Sequence, residues 1–164
     1  CKVKIDESMT VGDLYKELME LGARTTLSTV HKIMIGEVEG IKQDELPSQT
    51  ELKPAPKIFK ADCDIDFLNN VRSVNDFCRG LDPYPGAWSK VKTDKDELKT
   101  IKFFKTSRTE IPVLTKNEFS SDELGILIPC SDFYLRIFEI QLEGKRKMNY
   151  KEFLAGHAIS RYSL

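Results

Sequence analysis

Lys145, Arg146 and Lys147 are the chain's only three consecutive cations, and they follow directly on Gly144. Glycine there makes a turn out of a strand, so the three side chains should project from the rim of a sheet. Cations so placed neutralise phosphates and release counterions, which gives salt-dependent, largely sequence-independent affinity for nucleic acid. An ordinary solvated charge run would have the same composition. A looser basic set comprises Lys90, Lys92, Lys95, Lys99, Lys102, Lys105 and Arg108, offset in part by Asp94, Asp96 and Glu97. On strands, Lys90 and Lys92 share a face, as do Lys99 and Lys105 where no bulge intervenes. Tyr134 and Arg136 are expected to present a similar outward face. Trp88, just past Pro83-Tyr84-Pro85-Gly86, could stack on a base, a contact worth about 1–3 kcal/mol. The competing expectation is that Trp88 and Tyr84 anchor a small core against the helix containing Phe77.

Other reactive residue types form weaker patterns. Asp64 and Asp66 flank Ile65 on an extended stretch, where capping or turn formation is the commoner role for aspartate. Cys1, Cys63, Cys78 and Cys130 contain no C-x-x-C pair, and His31 and His157 are not spaced to join them. No metal site is expected from that spacing, and reduced thiols are. The sequence holds no phosphate loop, nucleophile–base constellation or Rossmann glycine fingerprint.

The elements that position these residues follow from periodicity. Val3 and Ile5 alternate with Lys2, Lys4 and Asp6, predicting a short strand. Thr10 is the expected N-cap of a helix, with Asp13 three residues on. Val11, Leu14, Leu18, Leu21, Leu27, Val30 and Ile33 or Met34 then make one helical stripe ending near Gly36. Gly22 weakens that helix or marks a close packing point. Residues 37–56 lack periodicity and contain Pro47, Pro54 and Pro56, as a linker does. Val71, Val74, Phe77, Cys78 and Leu81 predict a second helix closed by Gly80 and Pro83. Strands are expected at Ala87–Val91, Leu98–Lys105, Glu110–Leu114, Leu124–Pro129 and Phe133–Leu142. Inside the last one, Leu135 and Ile137 face oppositely to Phe138, Ile140 and Leu142, implying a bulge or burial on both faces. A final helix, Tyr150–Ala155, starts from Asn149. Five short strands with small helices suggest a closed or partly closed barrel.

The whole chain is 164 residues, 40% hydrophobic and 31% charged, with a formal net charge of −1. That length allows one ordinary domain or one small domain with a piece of another attached, the composition is that of a globular protein, and the net charge supports no global attraction to polyanions. Charge is segregated, however: residues 1–53 hold seven Lys or Arg against ten Asp or Glu. No apolar run approaches the ~20 residues of a membrane helix, and no signal peptide is visible. A start at Cys, within an expected strand, suggests a fragment.

Three stretches carry a resemblance. Phe77-Cys78-Arg79-Gly80-Leu81-Asp82-Pro83-Tyr84-Pro85-Gly86-Ala87-Trp88 resembles the I-R-A-x-x-P-x-P-x-A-W junction that opens the C-terminal domain of folate-dependent formyltransferases. Gln141 to Met148, followed by Glu152-Phe153-Leu154, looks like the L-Q-x-x-G-K-K-x-M…E-x-L ending of the methionyl-tRNA formyltransferase family. Met9-Thr10-Val11-Gly12-Asp13-Leu14-Tyr15-Lys16-Glu17-Leu18 is similar to a helix near the end of that family's catalytic domain. Residues 92–123 do not align.

The resemblance implies an α+β fold, mainly β with flanking helices: a small OB-like β-barrel (61–164) preceded by the strand–helix tail of a Rossmann-like formyltransferase domain (1–40) and a linker (41–60). It implies a parent enzyme that moves a formyl group from 10-formyltetrahydrofolate to methionine on initiator tRNA in the cytoplasm. The family's catalytic Asn, His and Asp and its Ser-Leu-Leu-Pro folate loop lie upstream of the first helix and are absent here. No catalytic residue and no cofactor is therefore expected in this chain. Its implied partners are initiator methionyl-tRNA and an N-terminal catalytic domain in cis, with tRNA contacts expected at Lys145, Arg146, Lys147, Lys90, Lys92 and Arg136. The alternatives are another folate-dependent formyltransferase (sugar-nucleotide or formyltetrahydrofolate dehydrogenase type) or a stand-alone RNA- or protein-binding barrel.

Overall fold

A computed structural model describes residues 2–45, 54–93 and 97–164, apart from the side chain of Asp44. Cys1, residues 46–53 of the proline-containing linker, and Lys95 with its neighbours Asp94 and Asp96 lie outside the described residues. The long helix forms as its caps dictate. Helix α1 runs Val11–Met34; Thr10 is extended, its hydroxyl accepts from the Asp13 N–H at 3.2 Å, and the Asp13 carboxylate accepts the Thr10 N–H at 3.1 Å. That reciprocal pair satisfies two otherwise orphaned donors. The Thr10 hydroxyl also donates to the Asp13 carboxylate at 2.6 Å, and that bond with the one from the Thr10 N–H holds the Asp13 carboxyl below its ordinary value. Gly22 does not interrupt α1, and nothing lies within 4 Å of where its Cβ would stand, so close packing is not its role. None of the helix's residues is buried.

The expected strand at Val3–Ile5 does not form. Residues 2–6 have no ladder partner, and Ile5 is exposed. The Asp6 side chain instead accepts from the N–H groups of Ser8 (2.8 Å) and Met9 (2.9 Å) and from the Ser8 hydroxyl (2.8 Å), folding residues 6–9 into a turn. Asparagine and aspartate make such turns by imitating a backbone acceptor.

Helix α2, Val71–Gly80, buries Val71, Val74, Asn75 and Cys78, one face at three- and four-residue spacing. Asn70 caps it through Ser73 N–H at 2.9 Å, and Asp132 takes the Val71 N–H at 2.8 Å. Asp66 serves the turn before it, accepting the Leu68 N–H at 3.0 Å, in line with the structural role expected of that aspartate.

Among the described residues seven strands make one antiparallel sheet: β1 Ala87–Thr93, β2 Leu98–Pro112, β3 Ser120–Asp122, β4 Gly125–Pro129, β5 Phe133–Leu142, β6 Met148–Asn149 and β7 Tyr162–Ser163. Their order is β3-β4-β5-β2-β1-β7, with β6 on β5. The sheet curls until its ends meet. Glu118 bridges Ser163, Phe119 N–H donates to Tyr162 O at 3.2 Å, and Leu164 N–H donates to Asn117 O at 2.8 Å. Helix α3, Tyr150–Gly156, has the expected Asn149 cap, reciprocated by Glu152. A chain of rings fills the interior: Phe67 edge-on to Phe103 at 6.0 Å, then Phe119, Tyr162 and Phe153. Phe103 and Phe153 are fully buried, and burial of such a side chain contributes about 2–3 kcal/mol.

Four expectations about the sheet need correction. The segments Leu98–Lys105 and Glu110–Leu114 are parts of one strand, β2, because Lys105 turns through a left-handed φ of 47° without ending it. The phase change in β5 is not a bulge there: pairing with β2 keeps one register from Ile101–Leu142 to Arg108–Leu135, passing over only Lys105 and Phe138, and the register shift falls between Arg108 and Pro112. Tyr84 anchors nothing, being 84% exposed, whereas Trp88 is half-buried and holds residues 60–65, donating Nε1–H to Lys60 O at 2.8 Å and accepting the Ile65 N–H at 2.8 Å. Tyr134 is buried rather than outward, and its hydroxyl accepts the N–H groups of Leu114 and Thr115, each at 3.4 Å.

Candidate nucleic-acid interface

The turn between β5 and β6 presents the cationic run as the sequence implied. Gly144 takes φ +70°, Lys145 N–H closes the turn on Leu142 O at 3.0 Å, and Gln141 Nε2 donates to Lys145 O at 2.9 Å. All three cations are exposed, but they are not equally available. Arg146 pairs with Glu152 at 2.9 Å, and Lys147 pairs with Glu139 at 2.6 Å and lies 4.9 Å above the Phe104 ring. Lys145 makes no ion pair among the described residues.

Sheet register decides whether the second basic set joins the first. Trp88, Lys90 and Lys92 alternate outward on β1, opposite Lys102, Thr100 and Leu98 of β2. Glu143 N–H donates to Thr100 O at 3.1 Å, so the Lys145 turn starts beside the β2 residue that faces Lys90. Two strand spacings place the backbones of Lys90 and Glu143 about 10 Å apart. Lys60 lies 5.8 Å from the Trp88 ring, and Lys102 Nζ donates to Pro85 O at 2.7 Å. Lys90, Lys92 and the Lys145 turn thus flank one end of the β1–β2 ribbon.

Arg136 does not belong to that surface. Its guanidinium pairs with Asp122, its side chain is only 14% exposed, and its stem covers Gly125, where a Cβ would meet Arg136 Cγ at 2.8 Å. It ties β5 to the β3–β4 hairpin. Outward alternation alone suggested otherwise, because a neighbouring hairpin folding over a strand face leaves no periodic signal.

A feature the residue pattern did not indicate is a cleft of about 1150 Å³ between the start of α1, the α2–β1 turn and the middle of β2. Tyr15, Arg79, Tyr84, Lys105, Arg108 and Lys147 are among its walls. The left-handed turn at Lys105 carries that side chain to Glu139 at 2.6 Å, so one carboxylate holds Lys105 and Lys147 together. Burial pushes the Glu139 carboxyl up, but hydrogen bonds from the two lysines outweigh it and bring the group below its ordinary value. Buried Asp82 fixes the kink by accepting the Lys105 N–H at 2.8 Å.

The two histidines are far from any such chemistry: His31 is exposed on α1, and His157 stacks on Phe153 at 4.6 Å. Among the described residues no group of three or more His, Cys, Asp or Glu is placed to hold a metal, and no helix is long and apolar enough to cross a membrane.

The barrel is thus a curled antiparallel sheet with short helices and a cationic rim, reached through a proline-rich turn after α2. This chain belongs to the formyl transferase C-terminal domain family, whose pattern matches residues 57–158. It is similar to the methionyl-tRNA formyltransferase of Bacteroides fragilis, 34% identical over 161 residues, covering 97% of this chain and 50% of that protein. The methionyl-tRNA formyltransferase of Azobacteroides pseudotrichonymphae is 36% identical over 162 residues, covering 95% and 49%. The chain spans about half the length of the curated relatives it matches. Among solved structures, HypX from Aquifex aeolicus shares the fold with a TM-score of 0.66 at 15% identity, over 94% of this chain and 27% of that one.

Proposed function

We propose that this chain is the tRNA-positioning half of a methionyl-tRNA formyltransferase. The whole protein would transfer a formyl group from 10-formyltetrahydrofolate to the methionine of initiator tRNA, in the cytoplasm. Residues 61–164 form an OB-like barrel that takes the tRNA, residues 41–60 link, and residues 1–40 are the last part of the catalytic domain. Folate and the bond-making groups belong to the half that precedes them in cis. Among the described residues His31 and His157 stand on separate elements without an asparagine partner, so these residues do not fit a folate-transfer centre, and the chain alone is expected to be inactive.

What carries the reading is the similarity to methionyl-tRNA formyltransferases across nearly the whole chain, joined to a cationic turn on an exposed rim. The turn and the Lys90–Lys92 face supply phosphate neutralisation, and the barrel supplies orientation, so that binding energy pre-aligns the acceptor end. The test is binding of the chain to initiator tRNA, titrated over salt, beside a Lys145→Ala/Arg146→Ala/Lys147→Ala variant. Salt-sensitive binding that weakens in the variant supports the reading. Absence of binding at low salt refutes a tRNA-holding role for this half by itself.

A further inference from the structure

The geometry points to Arg79 as a positioning residue: with Gly12 and Asp82 it clamps α1 against the barrel and thereby sets the width of the cleft between them. The contacts are few and specific. Arg79 reaches out of α2 with one guanidinium nitrogen bonded to two carbonyls, Asp6 O at 3.0 Å and Met9 O at 2.9 Å. Asp76 holds the guanidinium in that pose through Nε at 2.8 Å. The Asp6 turn presents both carbonyls, because it folds residues 6–9 back on themselves.

One turn further on, the Gly12 N–H donates to the Asp82 carbonyl at 2.9 Å. A Cβ on Gly12 would stand 2.5 Å from Pro83 Cδ, so the approach requires glycine. Asp82 faces both ways: its carbonyl holds α1, and its carboxylate holds the Lys105 kink in β2. Arg108 pairs with Glu7 across the same gap. Beyond this joint α1 fully buries none of its residues, so these ties are the specific holds on its angle among the described residues. The joint is built from Arg79 to Pro83 of the proline-rich junction, which gives that stretch a mechanical task. Arg79 commits Nε to Asp76 and one terminal nitrogen to the two carbonyls, so three of its five donors orient the two sides of the cleft.

The experiment measures the joint directly. Spin labels are placed at Leu27→Cys and Leu114→Cys, 74% and 87% exposed in the native chain, on a Cys1→Ser background; the other three thiols are buried. Arg79→Ala and Gly12→Val are expected to broaden or shift the distance distribution, and Arg79→Lys to fall between. Emission from Trp88, the only tryptophan, reports that the barrel still folds; should Arg79→Ala fail there, Gly12→Val decides, since it leaves the barrel's own contacts in place. A distribution unchanged from the parent in the folded variants overturns the inference.

The second arm rests on the tRNA-positioning reading. Arg79→Ala should weaken initiator tRNA binding about tenfold, the worth of one charge-assisted hydrogen bond, with the salt dependence unaltered. A fall of about one in the salt slope would instead make Arg79 a phosphate contact and overturn the positioning role. If the chain binds no tRNA, the distance measurement still decides the joint.

Discussion

The three cations of the β5–β6 turn are expected to contribute unequally to tRNA binding, and the structure sets the order. Lys145 is exposed and makes no ion pair among the described residues. Lys147 must leave Glu139, at 2.6 Å and 19% exposed, before it can neutralise anything else, and its ammonium also lies on the Phe104 ring. Arg146 must share itself with Glu152, in an ion pair whose arginine side is 71% exposed. Each phosphate neutralised adds about 0.7–0.9 to the slope of log affinity against log salt, equivalent to about threefold in affinity between 50 and 200 mM. Lys145→Ala should therefore lose close to one full unit of that slope. Arg146→Ala should lose a part of one, since exposed ion pairs are worth little and exchange easily. Lys147→Ala should lose least. The assay is fluorescence-anisotropy titration of labelled initiator tRNA at four or more salt concentrations for each variant. A slope loss for Lys147→Ala equal to or larger than that for Lys145→Ala would refute the reasoning, since it would mean that Glu139 does not hold the lysine back.

Other expectations can be checked alongside. Phe153→Ala removes a fully buried ring that contacts Tyr162 and stacks on His157, and should cost about 3–5 kcal/mol in urea unfolding. Glu139 has a depressed carboxyl in the folded chain, so its contribution is present above the ordinary glutamate value and lost as pH falls through the lower folded value. Acid titration of the unfolding midpoint should show that loss in the parent, and a flatter curve in Glu139→Gln. Burial pushes the Cys130 thiol up to about 12 and the Cys78 thiol higher still. Both should resist iodoacetamide at pH 8 and react only on unfolding, as read by peptide mass spectrometry.

What the sequence made legible was local. Thr10 with Asp13, and Asn149 with Glu152, announce two helix starts because a cap needs only residues within one turn. Val71, Val74 and Cys78 likewise mark the buried face of α2 by spacing alone. Contacts between distant segments were less accessible. The apolar phase change in β5 was visible, but its cause lies in the neighbouring strand, in the backbone of Lys105, a residue type with no preference for a left-handed φ. Arg136 looked outward by parity because nothing in β5 reveals Asp122 reaching over it. Strands β6 and β7 escaped notice because two residues are too few to show a period. The cationic turn was readable in full, whereas the ion pairs that divide its labour depend on Glu139 and Glu152 arriving from separate elements.

Closure of the sheet by residues 162–164 has a consequence during synthesis. The Lys92–Thr93 end of β1 gains its outer neighbour, and residues 117–119 gain theirs, from residues 162–164, which are translated after all the other strands described. While the ribosome still holds that strand, two open edges are exposed together, each a template for pairing with another chain. The nascent domain is therefore most exposed to misassembly until residues 162–164 dock, and a stall near Ile159 should aggregate more readily than one at the end of α2.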